Sequence, residues 1–567
     1  MNDKRYTIRY KRGMDRDAKN PPAGFLNLRE GHVFFRILLA FAFTLALMGK
    51  PCVAQAPELP GPAEPFAPMM IEAERDILSR LDDPTRYTIE ATLDWERLTI
   101  YGQEKVLYTN NEKIPLDMLF LRLYPNAEHY AEGELRVEKV LVDGQEVTFT
   151  VEETIMQVNL PAPLPPEGQI EICIDFALKV PHRDDRFGYM NGVMCLGHWY
   201  PMMAVYDEEG WNLDPYVWIG DAFYSEVSLY TVSITAPAGI TAVSSGLLSE
   251  KRTKADGMIT WTFHSGAMRD FALAFSADFQ EASGRVGETQ VNSYYLPGDE
   301  KAGHEALRYA LETLQIYNRL FGPYPYVELD VVESYFTVGG APGGMEFPGL
   351  VLIGTDFYRP SPYVEEQDTV IAHEIAHQWW YGVVGNDQVD EPWLDESFAT
   401  YSSFLYFEFA QSKKEADRQL FIQALLPYQI MVLMDRDAPV ESSLLDFGSD
   451  LLRYQAIVYG KGALFLKELR NLVGDEAFFE ILSRYYEGHK YGVARSSDFQ
   501  EVLREALGEG QALYDRWITR AEGEILGSRE EWLSLMEMFL NTEALKPGDF
   551  EKMQKLLERI SSLLAEE

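Results

Sequence analysis

The chain has 567 residues, 46% of them hydrophobic and 25% charged, and a net charge of −39. That length supports several domains around a large core, and that composition excludes a disordered or fibrous protein. The acidity serves solubility and excludes nucleic acid as a partner, because phosphates would be repelled.

Residues 1–36 carry nine Lys or Arg against four Asp or Glu, and residues 37–49 follow as thirteen positions without charge. A membrane-spanning helix needs about twenty apolar residues, so this run is short for one. Cys52-Val53-Ala54 and Ala54-Gln55-Ala56 are both small-x-small sequences. The pattern predicts a secretory signal peptide within residues 1–56, cleaved after Ala54 or Ala56. The alternative is an uncleaved membrane anchor through residues 37–49, with the remainder outside the cytoplasm. Either way the expected location is extracellular, periplasmic or on the outer face of the membrane. The three cysteines, Cys52, Cys173 and Cys195, have no zinc-ribbon spacing, and a Cys173–Cys195 bridge stays open in an oxidising compartment.

Residues 57–84 read as a Pro-rich linker and a short helix over 69–81. From 85 to 285 the pattern becomes all-β and mostly antiparallel. Residues 88–93 and 230–235 alternate in polarity, and Asp143-Gly144, Pro237-Ala238-Gly239 and Asp256-Gly257 supply turns. Residues 193–218 are aromatic-rich and irregular.

From 286 to 525 helices dominate. Residues 305–321, 418–434 and 457–472 have helical periodicity, and 323–335 and 349–353 read as strands. A helix is expected over 368–381, with Val370, Ile371, Ile375 and Ala376 on its apolar side and Gly382 as its stop. Pro392 opens a second helix near Trp393. The last segment, 526–567, reads as a helical pair over 530–540 and 550–564, with Ser528 and Glu531 as a capping box.

The first of the two central helices contains His373-Glu374-Ile375-Ala376-His377, and Glu396 follows after eighteen intervening residues. Positions four apart share a helix face, so both imidazoles can meet one ion. Glu396, flanked by Trp393, Leu394, Phe398 and Ala399, is a buried carboxylate that needs a partner, and a metal is one. Three protein ligands leave a zinc ion a fourth position for water or substrate. Glu374, between the histidines, is placed to act on water and not on the metal.

These residues resemble the aminopeptidase N family of zinc metallopeptidases, the gluzincins, over roughly residues 85–525. The resemblance runs through His373 to Trp380, Gly385-Asn386 and Trp393 to Ala399. It extends to Gly343-Gly344-Met345-Glu346-Phe347-Pro348 upstream and Tyr459-Gly460-Lys461-Gly462-Ala463 downstream. It implies a saddle-like antiparallel β domain followed by a thermolysin-like, mainly helical catalytic domain, an α+β protein without the long helical repeats of large members. It implies one Zn²⁺ per chain on His373, His377 and Glu396, with Glu374 as general base and Tyr459 as the hydrogen-bond donor to the developing oxyanion. Glu346 would bind the substrate's free α-amino group, with Gly343, Gly344 and Met345 along the substrate backbone. The implied activity is removal of N-terminal residues from peptides. The family motif has Asn where this chain has Phe347. Its second amine-binding side chain, from the β domain, is unassigned here and sought near residues 194–199. Two other readings remain: a zinc hydrolase of altered specificity, including epoxide-type substrates, and a catalytically inactive scaffold.

Overall fold

The computed structural model describes residues 65–359, 367–507 and 511–523. The expected signal peptide or anchor, most of the linker and the final helical pair lie outside them. Among the described residues no helix is long and apolar enough to cross a membrane.

The N-terminal half is mainly β, and the short helix expected over 69–81 is two 3₁₀ turns and a single α-helical turn, Ile77–Arg80. In strand Arg86–Asp94 the side chains of Tyr87, Ile89, Ala91 and Leu93 are buried and those between them are not, as a strand with one face on the core requires. It sits inside an eight-stranded sheet, antiparallel to Thr99–Thr109 but parallel to Leu229–Pro237. Two four-stranded sheets and a two-stranded ribbon complete the half among the described residues. One runs Thr241–Ser244, Leu273–Ser276, Val193–Leu196 and Phe187–Met190. The aromatic-rich stretch expected to be irregular is thus partly ordered: it also contributes Met202–Met203, Tyr206–Asp207 and Gly210–Trp211. Cys173 lies in the large sheet and Cys195 in the smaller one; both are buried and they are not joined. Burial pushes the Cys195 thiol up to about 12.

The second half starts at strand Gln280–Val286, a little ahead of the expected boundary, and its five-stranded sheet ends on the two-residue edge strand Gly344–Met345. Helix Glu300–Leu320 buries Ala306, Ala310, Leu314 and Tyr317, and the Tyr317 hydroxyl donates to the Ala372 carbonyl at 3.0 Å. That bond seats the helix Gln367–Ala376, which ends five residues short of the expected 381. The reason is two adjacent buried indoles with opposite partners: Trp379 donates to Gly322 O at 3.0 Å and Trp380 to Ser402 Oγ at 3.1 Å. The chain turns to serve both, reaching φ 121° at Tyr381. Helix Trp393–Ala410 is buried continuously from Trp393 to Phe407, enclosed on every side by the domain, and so carries Asp395 and Glu396 into the interior.

The two long helices expected over 418–434 and 457–472 are each interrupted by π-helical turns, at Phe421–Leu425 and Gln455–Lys461. In the first, Pro427 removes an N–H from the following turn. In the second, Ser397 Oγ donates to the Val458 carbonyl at 2.6 Å and takes that acceptor out of the regular ladder.

Arg269, from the β half, is 1% exposed and donates to the carbonyls of Tyr381, Ser225 and Val383 at 2.8, 2.9 and 3.3 Å, and to that of Gly492. It ties the β half to the turn that follows the first central helix. Arg269→Met is expected to cost on the order of 3 kcal/mol or more, since buried acceptors lose a charged donor. Thermal and urea unfolding measure it; an unchanged midpoint would remove Arg269 from this role.

Candidate active site

His373 lies in the last turn of its helix and His377 directly follows the helix end, tied back by the His377 N to His373 O bond of 3.4 Å. Glu396 comes from the first turn of the second central helix. The three side chains meet. His373 Nε2 is 3.2 Å from Glu396 Oε2, His377 Nε2 is 3.3 Å from the same oxygen, and the two ring nitrogens are 3.1 Å apart. A tetrahedral ion bound at 2.0–2.2 Å spaces its donors by roughly 3.3–3.6 Å, so this triangle fits one face of such a site. His377 Nδ1 donates to the Trp380 carbonyl at 3.1 Å, which leaves Nε2 as a bare donor toward an ion.

The charges point the same way. Asp221, Glu346, Glu374, Asp395 and Glu396 are all buried around this point, with the Arg186 guanidinium paired to Asp221. Burial alone would raise the Glu396 carboxyl, but the His373 and His377 rings beside it outweigh burial and hold it well below its ordinary value. Burial raises Glu374 to about 8, and Asp395 to about 7 with help from the neighbouring Glu396. Glu346 is pushed well up by burial and then by the charge of Asp221. Such an excess of buried acid suits a divalent cation and a cationic substrate group.

Glu374 lies beside the triangle, packed against the edge strand. A Cβ on Gly344 would stand 2.3 Å from Glu374 Oε1, so only glycine lets the strand pass this close. Gly343 is held less tightly, a Cβ there standing 2.9 Å from Phe336 and 3.0 Å from Val338, and Met345 is fully buried. Tyr459 sits in the π-helical turn; its ring stacks on His373 at 5.7 Å and its hydroxyl donates to Glu396 Oε1. Glu346 is 3% exposed, and its carboxylate lies within 4.8 Å of donor atoms of Glu374 and His377.

Phe347 points away from the cleft. It is fully buried, 5.4 Å from the His198 ring, and fills the space beside Gly197, where a Cβ would come within 2.2 Å of it. Residues 194–199 therefore hold Phe347. The acid that the β half sends to the site is Asp221. Nothing local marks Asp221, Arg186, Gln388 or Asp395 in the sequence except that Asp395 lies inside the Trp393 to Ala399 stretch.

A β-rich domain followed by a helical domain that carries this His, His, Glu triangle is the arrangement expected from the resemblance. Residues 305–517 match the model of the peptidase family M1 domain. Relatives include "Aminopeptidase 2" of Candida albicans, 26% identical over 78% of this chain and 47% of that protein. "Alanine/arginine aminopeptidase" of Saccharomyces cerevisiae is 27% identical over 53% of this chain and 36% of that protein. The chain thus spans less than half the length of these two relatives. Among solved structures, an M1 zinc metallopeptidase from Deinococcus radiodurans has the same fold, with a TM-score of 0.57 at 19% identity over 79% of this chain and 96% of that one.

Proposed function

We propose that the protein is a zinc aminopeptidase that removes N-terminal residues from peptides, with one Zn²⁺ on His373, His377 and Glu396. The observation that carries this is the 3.1–3.3 Å triangle of donors with two further acids, Glu374 and Glu346, beside it. Zinc held there supplies Lewis acidity and makes water a nucleophile near neutral pH. Glu374 accepts the proton from that water at its carboxylate, and the Gly343–Met345 edge carries the substrate backbone. Tyr459 offers its hydroxyl to the charge that develops on the peptide carbonyl oxygen. Glu346, with Asp221 near it, binds the substrate ammonium and so restricts cleavage to the first peptide bond.

Metal analysis with an aminoacyl-arylamide assay tests the proposal. Stoichiometric zinc, activity lost to a chelator and restored by Zn²⁺, and inertness toward N-acetylated substrates are expected. Zinc without dependence on a free amine would favour altered specificity, and no zinc an inactive scaffold. Glu346→Ala is expected to raise KM for free-amine substrates by about tenfold or more with a smaller change in kcat. Equal losses on N-blocked substrates would remove the amine role.

The export reading of residues 1–56 accompanies this proposal, with membrane association through residues 37–49 if they are retained. N-terminal sequencing of the mature protein decides between cleavage and anchorage.

A further inference from the structure

Glu346 is gripped at both ends by two glutamines of the segment that joins the metal ligands. Gln378, next after His377, touches only backbone: its Nε2 donates to the carbonyls of Glu346 and Phe347 at 3.2 and 3.1 Å, and its Oε1 accepts from Gly349 N at 2.8 Å. Gln388, 1% exposed, touches the functional group itself. Its Nε2 donates to Glu346 Oε1 at 3.2 Å and to Asp395 Oδ2 at 2.7 Å. Asp395 in turn accepts through Oδ1 from the backbone N of Glu396 at 2.9 Å and from Asn386 Nδ2 at 3.1 Å. A continuous hydrogen-bonded path therefore runs from the Glu346 carboxylate through one carboxamide to the backbone of a metal ligand.

We propose that Gln388 is a positioning residue that fixes the distance between the amine-binding carboxylate and the metal, and so holds the register that removes one residue per cut. The inference rests on the amine role of Glu346. A free glutamate side chain has several rotamers, and each places its oxygens differently relative to the metal. Gln378 fixes the Glu346 backbone and Gln388 fixes its carboxylate, which leaves one arrangement. A carboxamide suits the place because it spends both N–H bonds on two acids that would otherwise repel each other. A glutamate at 388 would add a third negative charge, and a methionine would match the length without a donor.

The experiment compares the full chain with Gln388→Met and Gln388→Asn. It reads zinc content, melting temperature, kcat and KM on the best aminoacyl-arylamide, and competitive inhibition by a free amino acid and by its N-acetyl form. In Gln388→Met, KM and the inhibition constant of the free amino acid are expected to rise about tenfold or more, while kcat falls by less than about threefold. Zinc content and inhibition by the N-acetyl form stay at parental values. Gln388→Asn, which keeps the amide but shortens its reach, gives an intermediate rise. A lower melting temperature with parental KM would make Gln388 purely structural and overturn the proposal. Should the Met variant fail to fold, parental KM in the Asn variant would overturn it equally. Failure of the underlying amine reading looks different: the unmodified protein would then not distinguish the free from the N-acetyl amino acid.

Discussion

Glu374→Gln is expected to lower kcat by about 10²–10⁴-fold while zinc content and KM stay near parental values. The substitution preserves shape and removes the proton acceptor. Shape matters here because Glu374 is 5% exposed and its carboxylate is pressed against Gly344, so an amide fits where a longer or branched group would not. Glu374 donates nothing to the His373, His377, Glu396 triangle, whose edges are all formed by other atoms. Turnover within tenfold of the parent protein would exclude Glu374 as the base. Zinc loss from this variant would mean that its carboxylate, and not Glu396, completes the donor set.

Glu396→Ala is expected to lower zinc affinity by more than about 100-fold and to abolish measurable turnover, because removing a ligand costs more than removing the group that orients one. Glu396 joins three things at once: both imidazoles through Oε2 and the Tyr459 hydroxyl through Oε1. Without it the two histidines keep their 3.1 Å approach with no anion to balance an ion, and Tyr459 loses its acceptor. Competition with a chromophoric chelator measures the affinity. Parental affinity in this variant would show that the ion sits elsewhere, and the Asp214, Asp387, Asp390 group of carboxylates would then be the place to test.

The fold class was readable because it depends on short-range periodicity. Alternation in residues 88–93 and 230–235 marks strands, and helical spacing over 305–321 marks the helix that lies between strands Thr289–Tyr295 and Glu328–Ser334. Element ends were less readable. The helix expected to reach residue 381 stops at Ala376, because Trp379 and Trp380 answer to partners on Gly322 and Ser402 that no local pattern displays. The π-helical turn that carries Tyr459 has the same origin, since it depends on a hydrogen bond from Ser397, sixty-one positions away. The missing motif asparagine could be seen in the sequence, but its consequence could not. Phe347 exchanges a polar contact for burial against Gly197 and His198 of the β half.

The spacing of His373, Glu374, His377 and Glu396 follows from helix geometry and one short connection, so the amino-acid order alone was enough to say that these side chains could share an ion. Which groups surround that ion is a different matter. Asp221 and Arg186 arrive from another domain, and Gln388 takes its place only because Glu346 and Asp395 are brought to either side of it. A repeat of 3.6 residues is written into any helix, whereas a hydrogen bond between distant segments exists only once the core has packed. The His373, His377, Glu396 triangle could therefore be read from the chain, and the environment that orients Glu346 and loads the site with negative charge was decided by tertiary structure.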